Sequence, residues 1–132
     1  MTINGSRAFA EIMRGYGVSH MFFVPDILVP ALAEMEDMDI TRVMTHGEKS
    51  AAYMADGYAR VSGKPGICMA QTVGSANLAA GLKDARLACS PVIALTGGRR
   101  PEAKHRHVYQ ELEDFRMFDP VTKLNVELDV TG

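Results

Sequence analysis

Short apolar runs alternate along this chain with stretches of helical periodicity, and this alternation limits its fold more than any other feature. Buried-strand patterns occupy residues 20–24, 41–45, 67–70 and 91–96. Helical patterns occupy residues 6–15, 48–61 and 75–88, and a further helix is expected near Val29, where Pro30 is tolerated in a first turn. Apolar strands separated by helices predict a doubly wound α/β fold, with a mainly parallel sheet covered on both faces.

The size of the chain predicts a single domain over residues 1–132. At 14.4 kDa and 47% hydrophobic residues, the chain has enough apolar material for a core. A compact domain of this mass exposes roughly 6,800 Å² of surface. Residues 121–126 are expected to add one more strand, and no helical pattern follows to cover it. The sequence therefore predicts a domain that is truncated at its C-terminal end.

Several classes of protein are disfavoured by composition. A formal net charge of −2 excludes a strongly basic nucleic-acid binder. No apolar run approaches the length of a membrane span, and the N-terminus lacks the apolar stretch of a signal peptide. Cys68 and Cys89 fit no metal or disulfide spacing, and neither lies beside a base. These features predict a cytoplasmic protein that binds neither membrane nor nucleic acid.

Polar residues and glycines follow the predicted strands, where ligand sites lie in open α/β sheets. Glu48 follows the second strand and opens a helix rich in alanine, so it is either an acid/base group or a first-turn carboxylate that complements the helix dipole. Ser75 and Asn77 open the next helix, where capping is the simplest role. Gly74 permits a close backbone approach, either to a ligand or to the neighbouring strand. The sequence has no glycine-rich phosphate-binding motif.

A basic segment follows the fourth strand. Residues 99–107 carry four arginines and lysines together with His105 and His107. Such a segment either binds phosphates of a nucleotide or nucleic acid or forms a solvated loop, and the loop is the simpler interpretation.

Five segments, taken together, resemble one known family. They are FFVPD, THGEKSAAYMADGYARVSGKPG, QTVGSANLAAGLKDA, SPVIALTGGRR and YQELEDFRMFDPVTK. In this order they are similar to the N-terminal pyrimidine-binding domain of thiamine-diphosphate-dependent enzymes around acetolactate synthase, a group that includes pyruvate oxidase and benzoylformate decarboxylase. The resemblance covers residues 2–123, nearly the whole chain.

The resemblance implies a role for particular residues. Glu48 occupies the position of the family's catalytic glutamate, which promotes formation of the cofactor ylide that attacks a 2-keto acid. Gln110 matches a position near the reacting carbon. The positions that match those around the pyrimidine ring are Pro25, Val73, Gly74 and Asn77. The implied activity is acetolactate synthase-like carboligation or decarboxylation with thiamine diphosphate.

The resemblance also implies that this chain holds half of an active site. In the family a separate domain binds the diphosphate and Mg²⁺, and its motif is absent from this sequence. A diphosphate-binding domain or subunit is therefore the implied partner, within a homo-oligomer, and the isolated chain is expected to be inactive. Thr72 and Val73 depart from the family's G-P-G motif. This departure and the truncated end favour an alternative, a non-catalytic homologue that serves in dimerisation or regulation.

Overall fold

The computed structural model describes residues 3–25, 28–98, 101–103, 105–110 and 115–128. Four strands alternate with four α-helices: α1 (Gly5–Gly15), β1 (His20–Phe23), α2 (Val29–Glu34), β2 (Thr41–Met44), α3 (Glu48–Ser62), β3 (Gly66–Ala70), α4 (Ser75–Leu87) and β4 (Val92–Thr96). Two short 3₁₀ helices follow, Pro101–Ala103 and Phe115–Phe118. None of the helices described is both long and apolar enough to cross a membrane.

The four strands form one parallel sheet in the order β2-β1-β3-β4. Each parallel connection contains a helix, as such connections require. The predicted doubly wound α/β fold is thus confirmed. The central strand β3 is buried along its whole length, whereas β2 lies at an edge and exposes most of its side chains.

Two apolar cores lie on opposite faces of the sheet. On one face α1 and α2 pack against alternate strand residues, which include Met21, Phe23, Ile67 and Met69. On the other face α3 and α4 pack against the strand residues that alternate with these, which include Phe22, Cys68 and Ala70. Side chains of a strand point alternately to its two faces, so a strand that is apolar throughout requires cover on both.

Small residues let α3 lie very close to its neighbours. A Cβ atom added to Gly66 would lie 2.7 Å from the carbonyl carbon of Ala55. One added to Gly81 would lie 2.6 Å from the Cβ of Ala52. The alanine-rich face of α3 is therefore fixed against both β3 and α4, and this close packing determines where the first turn of α3 lies.

The buried face of α1 differs from the expected one. The sequence places Ala8, Phe9, Ile12, Met13 and Tyr16 on one face of this helix. In the structure Phe9 and Met13 pack against the core beside the fully buried Ala10, while Ile12 and Tyr16 are 50% and 85% exposed. Because α1 packs against α2 and the sheet on one side only, fewer of its apolar residues are buried than the sequence indicates.

The strand predicted for residues 121–126 is wrong. This segment forms no strand in the structure, and Leu124 and Val126 are 73% and 68% exposed. Contacts from α4 hold its beginning: Lys83 Nζ donates a hydrogen bond to the carbonyl oxygen of Pro120 at 3.2 Å, and Arg86 donates one to that of Thr122. Side-chain donors fix single carbonyl groups here, and a strand needs the repeated backbone pairing that they do not supply.

Candidate functional site

The carboxyl edge of the sheet has its topological switch point between β1 and β3. The chain leaves β1 towards β2 on one side, and β3 continues the sheet on the other. A small crevice at this point is lined by Val24, Leu28, Met69, Ala70 and Gln71. Ligands of doubly wound folds bind at the carboxyl ends of the strands beside such a switch point.

A buried threonine directs the chain from β2 into α3. The Thr45 backbone N–H donates to the carbonyl oxygen of Phe23 at 2.8 Å, and its hydroxyl donates to that of Gly47 at 2.9 Å. Gly47 is extended, with φ −170° and ψ 152°, and Glu48 is the first residue of α3. From sequence alone, Thr45 is only the last residue of a predicted strand. Its position between that strand and a helix that begins three residues later is the signal for a hydroxyl that links the two.

The carboxylate of Glu48 lies against two residues of the β3–α4 connection. Asn77 Nδ2 donates a hydrogen bond to Glu48 Oε2 at 3.2 Å. A Cβ atom added to Gly74 would lie 3.0 Å from Glu48 Cδ and would crowd Oε1. The structure therefore brings together Glu48, Gly74 and Asn77, three of the residues that the sequence indicated. Gly74 makes a close approach to the carboxylate, and its φ of −59° needs no glycine.

The other predicted site residues make no hydrogen bond to the Glu48 carboxylate in the described part of the chain. Pro25 is exposed just beyond the end of β1, and Val73 is 45% exposed. Gln110 has a φ of 61°, and its Oε1 is buried without a hydrogen-bond partner among the described residues. No hydrogen bond in the described part of the chain joins Glu48 to any of these three. A non-glycine residue in the left-handed region is strained, and such strain is found most often at functional sites.

A buried hydroxyl near Gly74 lacks a hydrogen-bond partner within the described part of the chain. Thr72 is 1% exposed, and its Oγ1 makes no hydrogen bond with any residue that the structure describes. Nothing in the sequence distinguishes this threonine from Thr45, whose hydroxyl is satisfied. The hydroxyl is therefore expected to lower stability, because it loses its hydrogen bonds to water and gains none in the protein.

The substitution Thr72→Val is expected to raise the free energy of unfolding by about 1 kcal/mol, because it replaces an unsatisfied hydroxyl with a methyl group of similar size. The matched change Thr45→Val removes a hydroxyl whose single proton is shared between the carbonyl oxygens of Phe23 and Gly47, and it is expected to lower the same quantity by about 1–2 kcal/mol. Urea unfolding of both variants measures the difference. A loss of stability in Thr72→Val would show that the hydroxyl is bonded in solution.

Among the residues that the structure describes, the remaining candidates supply no second site. Cys68 is buried, and this burial raises the pKa of its thiol to about 12, so the thiol is unreactive. Within the described ranges, no group of three or more His, Cys, Asp or Glu side chains is arranged to hold a metal ion. In the basic segment 99–107, Arg99, Arg100 and Lys104 lie outside the described residues.

Fold and site together define a class: a doubly wound α/β domain that presents a helix-start carboxylate at the ligand-binding edge of its sheet. The chain belongs to the family of the thiamine pyrophosphate enzyme N-terminal TPP binding domain, whose model matches residues 3–117. This membership confirms the resemblance noted in the sequence. It makes Glu48 the residue of first interest.

Acetolactate synthases are prominent among the relatives. The chain is 33% identical over 128 residues to a probable acetolactate synthase large subunit of Methanocaldococcus jannaschii, covering 96% of this chain and 22% of that protein. It is 30% identical over 126 residues to an acetolactate synthase of Bacillus subtilis, covering 94% and 22%. It is also 30% identical over 122 residues to 2-hydroxyacyl-CoA lyase 2 of Danio rerio, covering 91% and 20%. The chain thus spans about a fifth of the length of these relatives.

Proposed function

We propose that this chain is the pyrimidine-binding half of a thiamine-diphosphate-dependent active site that acts on 2-keto acids. The observation that carries the proposal is the position of Glu48, whose carboxylate lies at the carboxyl edge of the sheet between Gly74 and Asn77. Family membership supplies the cofactor class. The acetolactate synthases among the relatives suggest carboligation, and a relative named a probable 2-ketoarginine decarboxylase, from Pseudomonas aeruginosa, suggests decarboxylation.

The residues present fit the pyrimidine end of that cofactor. One carboxylate oxygen of Glu48 is bonded to Asn77, which leaves the other available to a ring nitrogen. Gly74 has no side chain to occupy the space beside that oxygen. The half-exposed Val73 offers an apolar surface to an aromatic ring, and Pro25 follows the neighbouring strand at the same edge. A flat heteroaromatic ring is therefore the group that this edge suits.

Within this proposal Glu48 exchanges a proton with the ring nitrogen through Oε1, as an acid/base group positioned within hydrogen-bond reach. The cofactor, when bound, supplies the electron sink for decarboxylation of the 2-keto acid. Gln110 is proposed to contact the substrate near the reacting carbon. Its strained backbone, and an Oε1 that has no partner among the residues the structure describes, support this role, since both are features that a ligand contact would account for.

A diphosphate-binding domain or subunit, with Mg²⁺, is the proposed partner, and the assembly is proposed to be a homo-oligomer. Three large side chains of α3 and of the β3–α4 connection are exposed: Tyr53 at 41%, Met54 at 45% and Val73 at 45%. These exposed apolar side chains support a surface that another domain covers.

The purified 132-residue chain is expected to release negligible CO₂ from pyruvate in the presence of thiamine diphosphate and Mg²⁺, because it holds only the residues around the pyrimidine. Addition of a diphosphate-binding domain from the same organism is expected to give cofactor-dependent turnover. Steady-state CO₂ release measures both. Turnover by the pure chain alone would contradict the half-site. Stable binding of that domain without cofactor, and without turnover, would support the non-catalytic homologue instead.

A further inference from the structure

Asn77 contacts the Glu48 carboxylate from a different part of the chain. The two residues are separated by 29 positions, and the hydrogen bond from Asn77 Nδ2 to Glu48 Oε2 joins the first turn of α4 to the first residue of α3. A length of 3.2 Å lies at the long end of the range for an N–H···O bond, so the contact is present but not tight.

The two oxygens of Glu48 have different surroundings. Oε2 accepts the amide hydrogen bond, while Oε1 lies where a side chain at Gly74 would be. Since a carboxylate rotates readily about its terminal bond, this difference exists only while something holds one of the oxygens. Among the described residues, Asn77 is the one that donates a side-chain hydrogen bond to Glu48.

The helices that carry these two residues pack closely against each other. Ala52 of α3 and Gly81 of α4 approach so closely that an added Cβ atom at Gly81 would lie 3.0 Å from the backbone nitrogen of Tyr53. Thr45 fixes the turn that leads into Glu48. A donor on such a support can hold a carboxylate within the narrow tolerance that proton transfer requires.

We infer that Asn77 is a positioning residue that acts through Glu48, rather than part of the cofactor-binding surface. It fixes Oε2, and Oε1 is then directed to the bound ring. This inference rests on the proposed function, because the orientation of Oε1 has a consequence only if Glu48 exchanges a proton with a ligand.

The kinetic test uses two substitutions in the assembly with the diphosphate-binding domain. Asn77→Leu removes the donor with little change in shape, and Asn77→Asp places a like charge beside Oε2. We expect kcat to fall roughly tenfold for Leu and roughly a hundredfold for Asp, with the half-saturating cofactor concentration changed less than about threefold. The matched control is Asn125→Asp, since Asn125 Nδ2 donates to Asp119 Oδ1 at 2.8 Å away from Glu48. The control is expected to leave both constants unchanged.

A second readout needs no cofactor. The sequence contains three asparagines, Asn4, Asn77 and Asn125. A chain labelled with ¹⁵N-asparagine therefore gives three side-chain amide signals, which single substitutions assign. In Glu48→Ala, the Asn77 amide protons are expected to move to the shifts of a solvated amide, while the signals of the other two asparagines stay in place.

The outcomes separate this inference from the function on which it rests. A rise of more than tenfold in half-saturating cofactor concentration with kcat retained would overturn it, because Asn77 would then line the cofactor. Unchanged kcat in both Asn77 variants, or an Asn77 signal that does not respond to Glu48→Ala, would also overturn it. Retained activity in Glu48→Gln would instead remove the proposed function, and the amide signal would still report the hydrogen bond.

Discussion

Replacement of Glu48 by glutamine is expected to lower kcat for 2-keto acid turnover by about 10²–10⁴-fold in the assembly with the diphosphate-binding domain. Glutamine keeps the size of the side chain and an oxygen that accepts the hydrogen bond from Asn77. It cannot exchange a proton with a ring nitrogen as a carboxylate does. The loss is therefore expected in turnover, with the thermal midpoint of unfolding nearly unchanged.

The matched control for this experiment is Glu36→Gln. Glu36 is an exposed glutamate that follows α2 and lies outside the site. Its substitution changes the net charge by the same amount and is expected to leave kcat unchanged. If Glu48→Gln retained activity comparable with that of the control, the acid/base role of Glu48 would be refuted. The chain would then be better described as the non-catalytic homologue.

The second large effect is expected on stability, from Gly66→Ala. The added Cβ atom would meet the backbone of Ala55, with the carbonyl carbon at 2.7 Å, and a backbone carbonyl cannot turn aside as a side chain does. Relief of the clash requires α3 to move away from β3, which loosens the core around Phe22 and Cys68. We expect the free energy of unfolding to fall by about 3 kcal/mol and the thermal midpoint by roughly 10 °C.

The same substitution elsewhere in this helix–strand unit supplies the control. Gly57 lies in α3, and a Cβ atom added there meets no atom within 4 Å. Gly57→Ala is expected to raise the free energy of unfolding by about 0.5–1 kcal/mol, because alanine loses less backbone entropy in a helix. Denaturant unfolding of the two variants measures the expected decrease for Gly66→Ala and the expected increase for Gly57→Ala in the free energy of unfolding. Equal stability of Gly66→Ala and the wild type would show that the α3–β3 distance in solution is larger than described.

Secondary structure could be predicted well where the spacing of apolar residues and the positions of glycines and prolines indicate the same element bounds. The four strands and the helices α1, α3 and α4 lie within one or two residues of the expected bounds. The failures share one cause. The exposed Tyr16 and the unpaired segment 121–126 are apolar enough for a buried helix face and a strand. Whether they are buried depends on what packs against them, which local pattern does not contain.

The candidate site was predictable in part. The carboxyl ends of strands are the ligand-binding positions of this fold, so Glu48, Gly74 and Asn77 could be selected before their contacts were known. Their mutual arrangement could not, because Asn77 and Glu48 are 29 positions apart. The sequence also could not show that the Thr72 hydroxyl lacks a partner among the described residues, since Thr45 and Thr72 are the same residue type and differ only in what surrounds them.

Local patterns in the sequence are enough to predict the α/β alternation, the family and the carboxylate at the start of α3. This is possible because the periods of strands and helices depend on residues that are close together in the sequence. The same holds for motifs of fixed spacing. Tertiary structure alone decided which strands lie at the edges, which oxygen of Glu48 is held by Asn77 and how closely Gly66 approaches Ala55. Those features arise from packing between segments distant in sequence, where a few tenths of an ångström separate a contact from a clash.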